Sequence, residues 1–250
     1  MSSRTKVIVV LPAFNEEKSL PSLLSRIDDA FQEFELKGEI LVVNDGSQDR
    51  TSEICRGFQS SFPVEVVDVN PNKGLANAIK VGFLTALPKL KPNDILIVMD
   101  ADNSHTPGLI LRMTRLIHEG ADVVIASRYR DGARIRGLTT FRKFLSWGAS
   151  MLFRTLVGIP GVRDYTCGYR AYRAQILFNA MADYKDQFIQ QSGFACMTEI
   201  LLKLKKFDPI IIEVPLILRY DQKESESKMR VGRTIRQTLM MLANYKFRRR

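Results

Sequence analysis

Short apolar runs rich in β-branched residues recur along the first half of the chain: KVIVVL (6 to 11), EILVVN (39 to 44), VEVVDV (64 to 69), DILIVMD (94 to 100) and DVVIAS (122 to 127). Between them the apolar residues fall at helical spacing, as in Leu20, Leu23, Leu24, Ile27 and Phe31, or Leu75, Ile79, Phe83 and Leu87. Strands that are apolar throughout and separated by amphipathic helices predict an α/β fold, with a mostly parallel sheet covered by helices on both faces in a single domain. After residue 127 the alternation lapses. An amphipathic helix is predicted around 139 to 157, a second helix ends in TEILLKLKKF, and a strand spans IIIEVPLIL (210 to 218). Pro215 interrupts that strand, which suits an edge or a strand end. From Lys228 to Arg250 there are basic residues and no acid, with Ile235, Leu239, Leu242 and Lys246 on one helical face.

In an open parallel sheet ligands bind outside the carboxyl ends of the strands. Those are the places where the unusual residues sit: PAFNEE after the first strand, NDGSQDRT after the second, DADNSHTP after the fourth and SRYRDG after the fifth. Loops far apart in sequence therefore converge on one crevice.

Composition narrows the classes. The 250 residues are 45% hydrophobic, enough for one full core. Cys55, Cys167 and Cys196 are odd in number and in no metal-ligand spacing, which argues against a disulfide framework or a zinc site and for a reducing compartment. No apolar run is long enough to span a bilayer, and the start lacks a signal-peptide pattern, so a cytoplasmic location is expected. The net charge of +10 calls for an acidic partner: nucleic acid, anionic lipid or a phosphorylated substrate.

Against that basic background stands DAD. Asp100 and Asp102 straddle a strand end, where a turn lets both carboxylates face the crevice. Next to phosphates such a pair needs a hard divalent cation, and Mg²⁺ or Mn²⁺ favours one or two carboxylates plus substrate phosphate oxygens. The plainer alternative has one Asp capping the helix that starts near Pro107 and the other solvated. Asp45, at the end of the second strand, is placed to accept from a base amide or a ribose hydroxyl; ordinary turn chemistry explains it equally. Neither G-x-G-x-x-G nor G-x-x-x-x-G-K-[ST] occurs at these turns, which weakens dinucleotide and P-loop readings.

VVLPAFNEEKSL, ILVVNDGSQDRT, NKGLANAIKVGF, VMDADNSHTP and DYTCGYRAYR, in this order, resemble the inverting family 2 glycosyltransferases of GT-A fold, and among them the polyprenyl-phosphate sugar transferases. The likeness runs from about residue 6 to about residue 230. It implies a metal-dependent hexosyltransferase in a single catalytic domain, moving mannose from GDP-mannose to a dolichyl-type phosphate at the cytoplasmic membrane face. Pro12, Ala13, Phe14, Glu16, Val43 and Asp45 then hold base and ribose, with Asp100, Ala101 and Asp102 around the metal and diphosphate and Arg128 near the phosphates. The family often carries Gln as an extra metal contact where this chain has Ser104, so the resemblance implies a metal set of Asp100, Asp102 and Ser104. Arg142 and Ser146, four apart on one helix face, together with Arg219 and Lys228, match residues that meet the acceptor phosphate. Asp164, Gly168 and Arg170 fall near the acceptor side but read as structural: Gly168 permitting a tight path, Asp164 pairing with Arg170. His105 abuts the site, and His118 reads as a surface residue.

Residues 1–127 are thus expected to form a nucleotide-sugar half, 128–227 an acceptor half and 228–250 a basic amphipathic helix. That helix, and the segment around Trp147, would touch an anionic membrane; a core-packed helix with solvated cations explains the Trp147 segment equally, and docking on the domain, or a membrane-spanning tail beyond the chain's end, are the alternatives for the last helix. A UDP-glucose or UDP-N-acetylglucosamine donor stays open. A saccharide or protein hydroxyl acceptor would need a base, for which Asp164 and Glu199 are the available carboxylates. A nucleic-acid-binding module would use the basic surface, yet stacking and helix-turn-helix signatures are missing, so no nucleic-acid partner is expected. A nucleotidylyltransferase would need an early Gly-rich basic loop, which is not evident.

Overall fold

The computed structural model describes residues 5–137, 148, 150–151, 154–222 and 240. The expected βαβ series is present: β1 (Lys6–Ala13), α1 (Leu20–Glu33), β2 (Lys37–Asn44), α2 (Thr51–Gly57), β3 (Val64–Asp68), α3 (Leu75–Ala86), β4 (Ile95–Val98), α4 (Leu109–His118) and β5 (Val123–Ser127). The runs of β1 and β2 become strands because both their faces are covered: Val7 through Leu11 and Ile40 through Val43 are fully buried. Each such side chain contributes about 1.5–3 kcal/mol relative to exposure.

Among the described residues one seven-stranded sheet has the order β3-β2-β1-β4-β7-β5-β8, where β7 is Arg170–Arg173 and β8 is Ile211–Pro215. The chain moves one way from β1 to β3 and then back past β1 to β4, so right-handed crossovers put α1 and α2 on one face and α3 on the other. Helix α3 lies close on β1, with Gly82 so near Val10 that an added Cβ would sit 2.4 Å from its Cγ1.

The second half joins the same sheet in a way that the hydrophobic pattern did not show. β6 (Arg134–Arg136) is followed, much later, by β7 (Arg170–Arg173), which inserts antiparallel between β4 and β5. After α5 (Ala174–Tyr184) and α6 (Ala195–Leu204), the predicted strand over 210 to 218 divides in two. β8 (Ile211–Pro215) is the sheet's edge beside β5, ending at the proline, and β9 (Ile217–Arg219) turns off to pair with β6. Residues 154–157 are helical, as expected of the segment around 139 to 157; most of that helix, and the basic helix over 228–250, lie outside the described residues.

Candidate active site

The strand register lines up the loops. Pro12 pairs with Val43 and Ala13 with Asn44, while Val10 pairs with Val98 on the other side. The loops after β1, β2 and β4 therefore leave the sheet side by side. The first two are tied into one ledge: Asn15 donates its N–H to Ser47 Oγ (2.8 Å), Gln48 donates to Asn15 Oδ1 (2.8 Å), and Glu16 donates to Thr51 Oγ1 (2.9 Å). Asn15 takes a left-handed φ of 51°, a conformation that Asn tolerates better than most residues. Asp45 is buried, and its two oxygens accept from the backbone N–H groups of Lys73 (3.1 Å) and Gly74 (2.6 Å). The residue expected at the base thus also fastens the loop before α3.

The carboxylate pair follows β4. Met99 N–H still bonds to Val10 O (3.0 Å), after which the chain turns out of the sheet. The Asp100 side chain keeps 26% of its surface exposed, and Asp102 is buried. Asp100 N–H donates to His105 Nδ1 (3.3 Å), and the His105 ring stacks on Tyr169 with centroids 5.1 Å apart. Asp102 Oδ1 accepts from both Ser104 N–H (3.1 Å) and Ser104 Oγ (2.5 Å). That removes the plainer alternative, because α4 starts after Gly108 with no side-chain cap. Ser104, expected as a metal contact, thus donates both bonds to the carboxylate it would join there. On the far side, Gly168 comes so close that an added Cβ would lie 2.9 Å from Asp100 Oδ1.

Arg128 leaves the tip of β5 and is clamped. Its Nε and Nη2 donate to Asp164 Oδ2 (2.8 Å) and Oδ1 (2.7 Å), and Nη2 also donates to Thr166 Oγ1 (2.6 Å). Its Nη1 amino group has no protein partner among the described residues. Burial alone pushes the Asp164 carboxyl up, but the charge and hydrogen bonds of Arg128 outweigh it and hold the pKa below the usual value. Burial likewise lowers Arg128, and Asp164 more than reverses that.

The expected pairing of Asp164 with Arg170 is therefore corrected. Arg170 is fully buried and donates to the carbonyls of Met197 (2.6 Å) and Tyr165 (2.8 Å), fastening the 165–169 segment to α6. At the start of β7 Arg170 is flanked by Val98 of β4 and Ile125 of β5, so this segment enters the sheet beside the carboxyl ends of those strands. Glu199, the other carboxylate considered as a base, is buried as well. Its Oε2 accepts from Gln190 and Gln191 N–H, and its Oε1 from Lys203 Nζ (2.7 Å).

Arg219 reaches the same edge: its N–H donates to Ser104 O (2.9 Å), while its guanidinium forks onto Asp221. His118 is exposed at the end of α4. Arg142, Ser146 and Lys228 lie outside the described residues. His105, expected to abut the site, lies against Asp100. Two contacts had no counterpart in the sequence reading: Gly168 against Asp100, and Arg26 of α1, whose Nη1 donates to Asn103 Oδ1 (2.8 Å). A cation on the polar face of an amphipathic helix looks solvated until the fold places a loop over it.

Do these residues fit a cation? Among the described residues no three His, Cys, Asp or Glu side chains cluster as a closed protein site. Two carboxylates at an open crevice, with Gly168 leaving space beside one of them, suit a hard ion that shares its coordination with phosphate oxygens and water. The residues fit on those terms.

The arrangement defines an α/β protein whose loops after β1, β2, β4 and β5 leave the carboxyl ends of the strands together, with a pair of carboxylates and a clamped arginine among them. Residues 8–178 match the family model described as glycosyl transferase family 2, and the chain belongs to that family. It is 36% identical to a dolichol-phosphate mannosyltransferase of Pyrococcus furiosus, over 92% of this chain and 60% of that protein. An undecaprenyl-phosphate mannosyltransferase of Micrococcus luteus is 33% identical, over 91% of this chain and 88% of its own length. The chain thus spans 60% of the archaeal relative and most of the bacterial one. In fold it is similar to glucosyl-3-phosphoglycerate synthase from Mycobacterium tuberculosis, solved with Mn²⁺, UDP and glucosyl-3-phosphoglycerate: TM-score 0.64 at 22% identity, covering 97% of this chain and 80% of that one.

Proposed function

We propose that the protein transfers a hexose, mannose from GDP-mannose, with inversion onto the phosphate of a polyprenyl (dolichyl-type) lipid at the cytoplasmic face of a membrane. The names of its relatives support mannose and a polyprenyl phosphate. One observation carries the acceptor class: Asp164 and Glu199, the carboxylates considered as bases, are buried and engaged by Arg128 and Lys203. A hydroxyl acceptor would need a base to take its proton, and these two are poorly disposed to serve as one. A phosphate monoester is already anionic at neutral pH and needs none.

In this reading Pro12, Ala13, Phe14, Glu16, Val43 and Asp45 seat base and ribose on the ledge that the first two loops form. Asp100 and Asp102, with Ala101 between them, face the diphosphate and would hold Mg²⁺ or Mn²⁺, a choice that the metals named with the similar structures support. When bound, such an ion offsets the charge that gathers on the departing nucleoside diphosphate. Arg128, held rigid by Asp164, adds a fixed positive charge to that end of the crevice. Arg142, Ser146, Arg219 and Lys228 receive the acceptor phosphate, with residues 1–127 serving the donor and 128–227 the acceptor. Among the described residues no helix is long and apolar enough to cross a membrane. Contact with lipid falls to the basic segments, 228–250 among them.

The test supplies GDP-mannose, UDP-glucose and UDP-N-acetylglucosamine in turn with polyprenyl phosphate in detergent, with and without Mn²⁺. Cation-dependent transfer from GDP-mannose, lost in Asp102→Ala at unchanged folding, is the expected result. Transfer only to free saccharides, or full turnover in Asp102→Ala, would refute the reading.

A further inference from the structure

We propose that Arg26 is a positioning residue for the carboxylate pair: reaching over from α1, it holds Asn103 and through it fixes where Asp102 stands in the crevice. The inference rests on the reading of Asp100 and Asp102 as the pair that holds the cation at the diphosphate.

Asn103 is the residue between Asp102 and Ser104, and it is buried with a left-handed φ of 60°. Asn tolerates that region better than most residues, and here its side chain is also held from outside the loop. Support comes from a single helix face. Ser22 and Arg26 are four apart on α1; Arg26 Nη1 donates to Asn103 Oδ1 at 2.8 Å, and Asn103 Nδ2 faces Ser22 Oγ at 3.5 Å. The neighbouring links run in the same direction. Ser104 donates twice to Asp102 Oδ1, and Ser104 O accepts from Arg219 N–H. The turn is thus gripped at Asn103 by α1 and at Ser104 by β9, with Asp102 hanging from both.

The chemistry of Arg26 is also out of the ordinary for a structural cation. It has no carboxylate partner among the described residues and spends its charge-assisted bond on a neutral amide. Burial and the nearby charge of Arg219 both work against its protonation. A plain surface arginine would take neither position. Holding outer partners of metal-binding carboxylates in this way commonly governs ion affinity by about 10-fold or more.

The experiment compares Arg26→Met, Asn103→Gly and the double variant with the wild-type chain. Two readouts are needed: hydrogen exchange over residues 100–106 without ligand, and calorimetric titration of GDP with and without Mn²⁺. Asn103→Gly keeps the left-handed turn accessible while removing the amide that Arg26 holds. Expected is faster exchange over 100–106 in both single variants, and loss of about 10-fold in Mn²⁺-dependent GDP affinity. Binding of GDP alone should not change, and the double variant should be no worse than either single one. Unchanged exchange in Arg26→Met would overturn the proposal. So would losses that multiply in the double variant, since Arg26 would then be acting on the ligand itself. Asp102→Asn separates the two layers: if it binds Mn²⁺ and GDP like wild type while Arg26→Met still loosens the turn, the strut stands and the cation reading beneath it falls.

Discussion

Replacing Gly168 by alanine is the smallest change that should move a candidate catalytic atom without unfolding anything. The new methyl group would lie 2.9 Å from Asp100 Oδ1, against a closest comfortable C···O approach of about 3.3 Å. Something must yield by about 0.4 Å, and the carboxylate yields most easily, because it is the end of a side chain and partly exposed. No left-handed backbone is involved at Gly168, so stability should fall by less than about 1 kcal/mol. Function should suffer more. Reacting groups need placement to about 0.5 Å, and a displacement of about 1 Å costs about 100-fold. A loss near 10-fold in kcat/KM is therefore expected. The assay is the initial rate of sugar transfer at varied donor and Mn²⁺, beside a thermal melt. Unchanged kinetics would refute the claim that Gly168 sets the Asp100 carboxylate; so would a rate loss that merely follows a large drop in Tm.

Three further outcomes follow from the same contacts. Asp164→Asn should destabilise by about 3 kcal/mol by chemical denaturation, because it leaves the Arg128 charge clamped without its counter-ion. The wild-type contribution of Asp164 has a defined acid limit: its folded pKa lies below the unfolded value of about 3.9, so that stability is complete above about pH 4 and drains away as pH falls through the lower folded value. In the variant that part of the acid transition should be missing. Glu199→Gln keeps an oxygen for the Gln190 and Gln191 amides but cannot act as a base; transfer at the wild-type rate is expected, and a collapse of kcat at unchanged folding would restore the hydroxyl-acceptor alternative. Burial pushes the thiols of Cys55, Cys167 and Cys196 up to about 12. A thiol-specific reagent at pH 8 should therefore label none of them until the chain is unfolded, and rapid labelling of the native protein would contradict the packing.

The parallel strands β1, β2, β4 and β5 were legible because their β-branched runs carry enough apolar surface to be buried on both faces, whatever their neighbours, and β3, half-buried at the sheet's edge, because its run is of the same kind. The placement of Asp100 and Asp102 followed from the same logic, since a polar pair directly after such a run must lie at the sheet's edge. β7 was not legible. RAYR is four residues long, carries an arginine at each end, and becomes a strand only because β4 and β5 flank it from far away in sequence. Partner choice failed for a similar reason: Asp164 was expected to take the nearby Arg170, yet the sheet brings Arg128 to it across 36 positions. Asp45 and Ser104 were found at the crevice, but their extra duties toward the Lys73 and Gly74 amides and toward Asp102 depend on loop conformations that no periodicity encodes. Arg26 left no trace for the same reason, because α1 shows only a cation on its polar side until the β4 loop folds over it.

The central claim is that the acids after β4 bind a cation together with the donor diphosphate. Asp102→Asn tests it most directly, since the amide oxygen keeps the two bonds from Ser104 while the charge is gone. GDP should bind the wild-type protein more tightly when Mn²⁺ is present, and the calorimetric titration of Asp102→Asn should show that enhancement lost. Equal enhancement by Mn²⁺ in both proteins would contradict it.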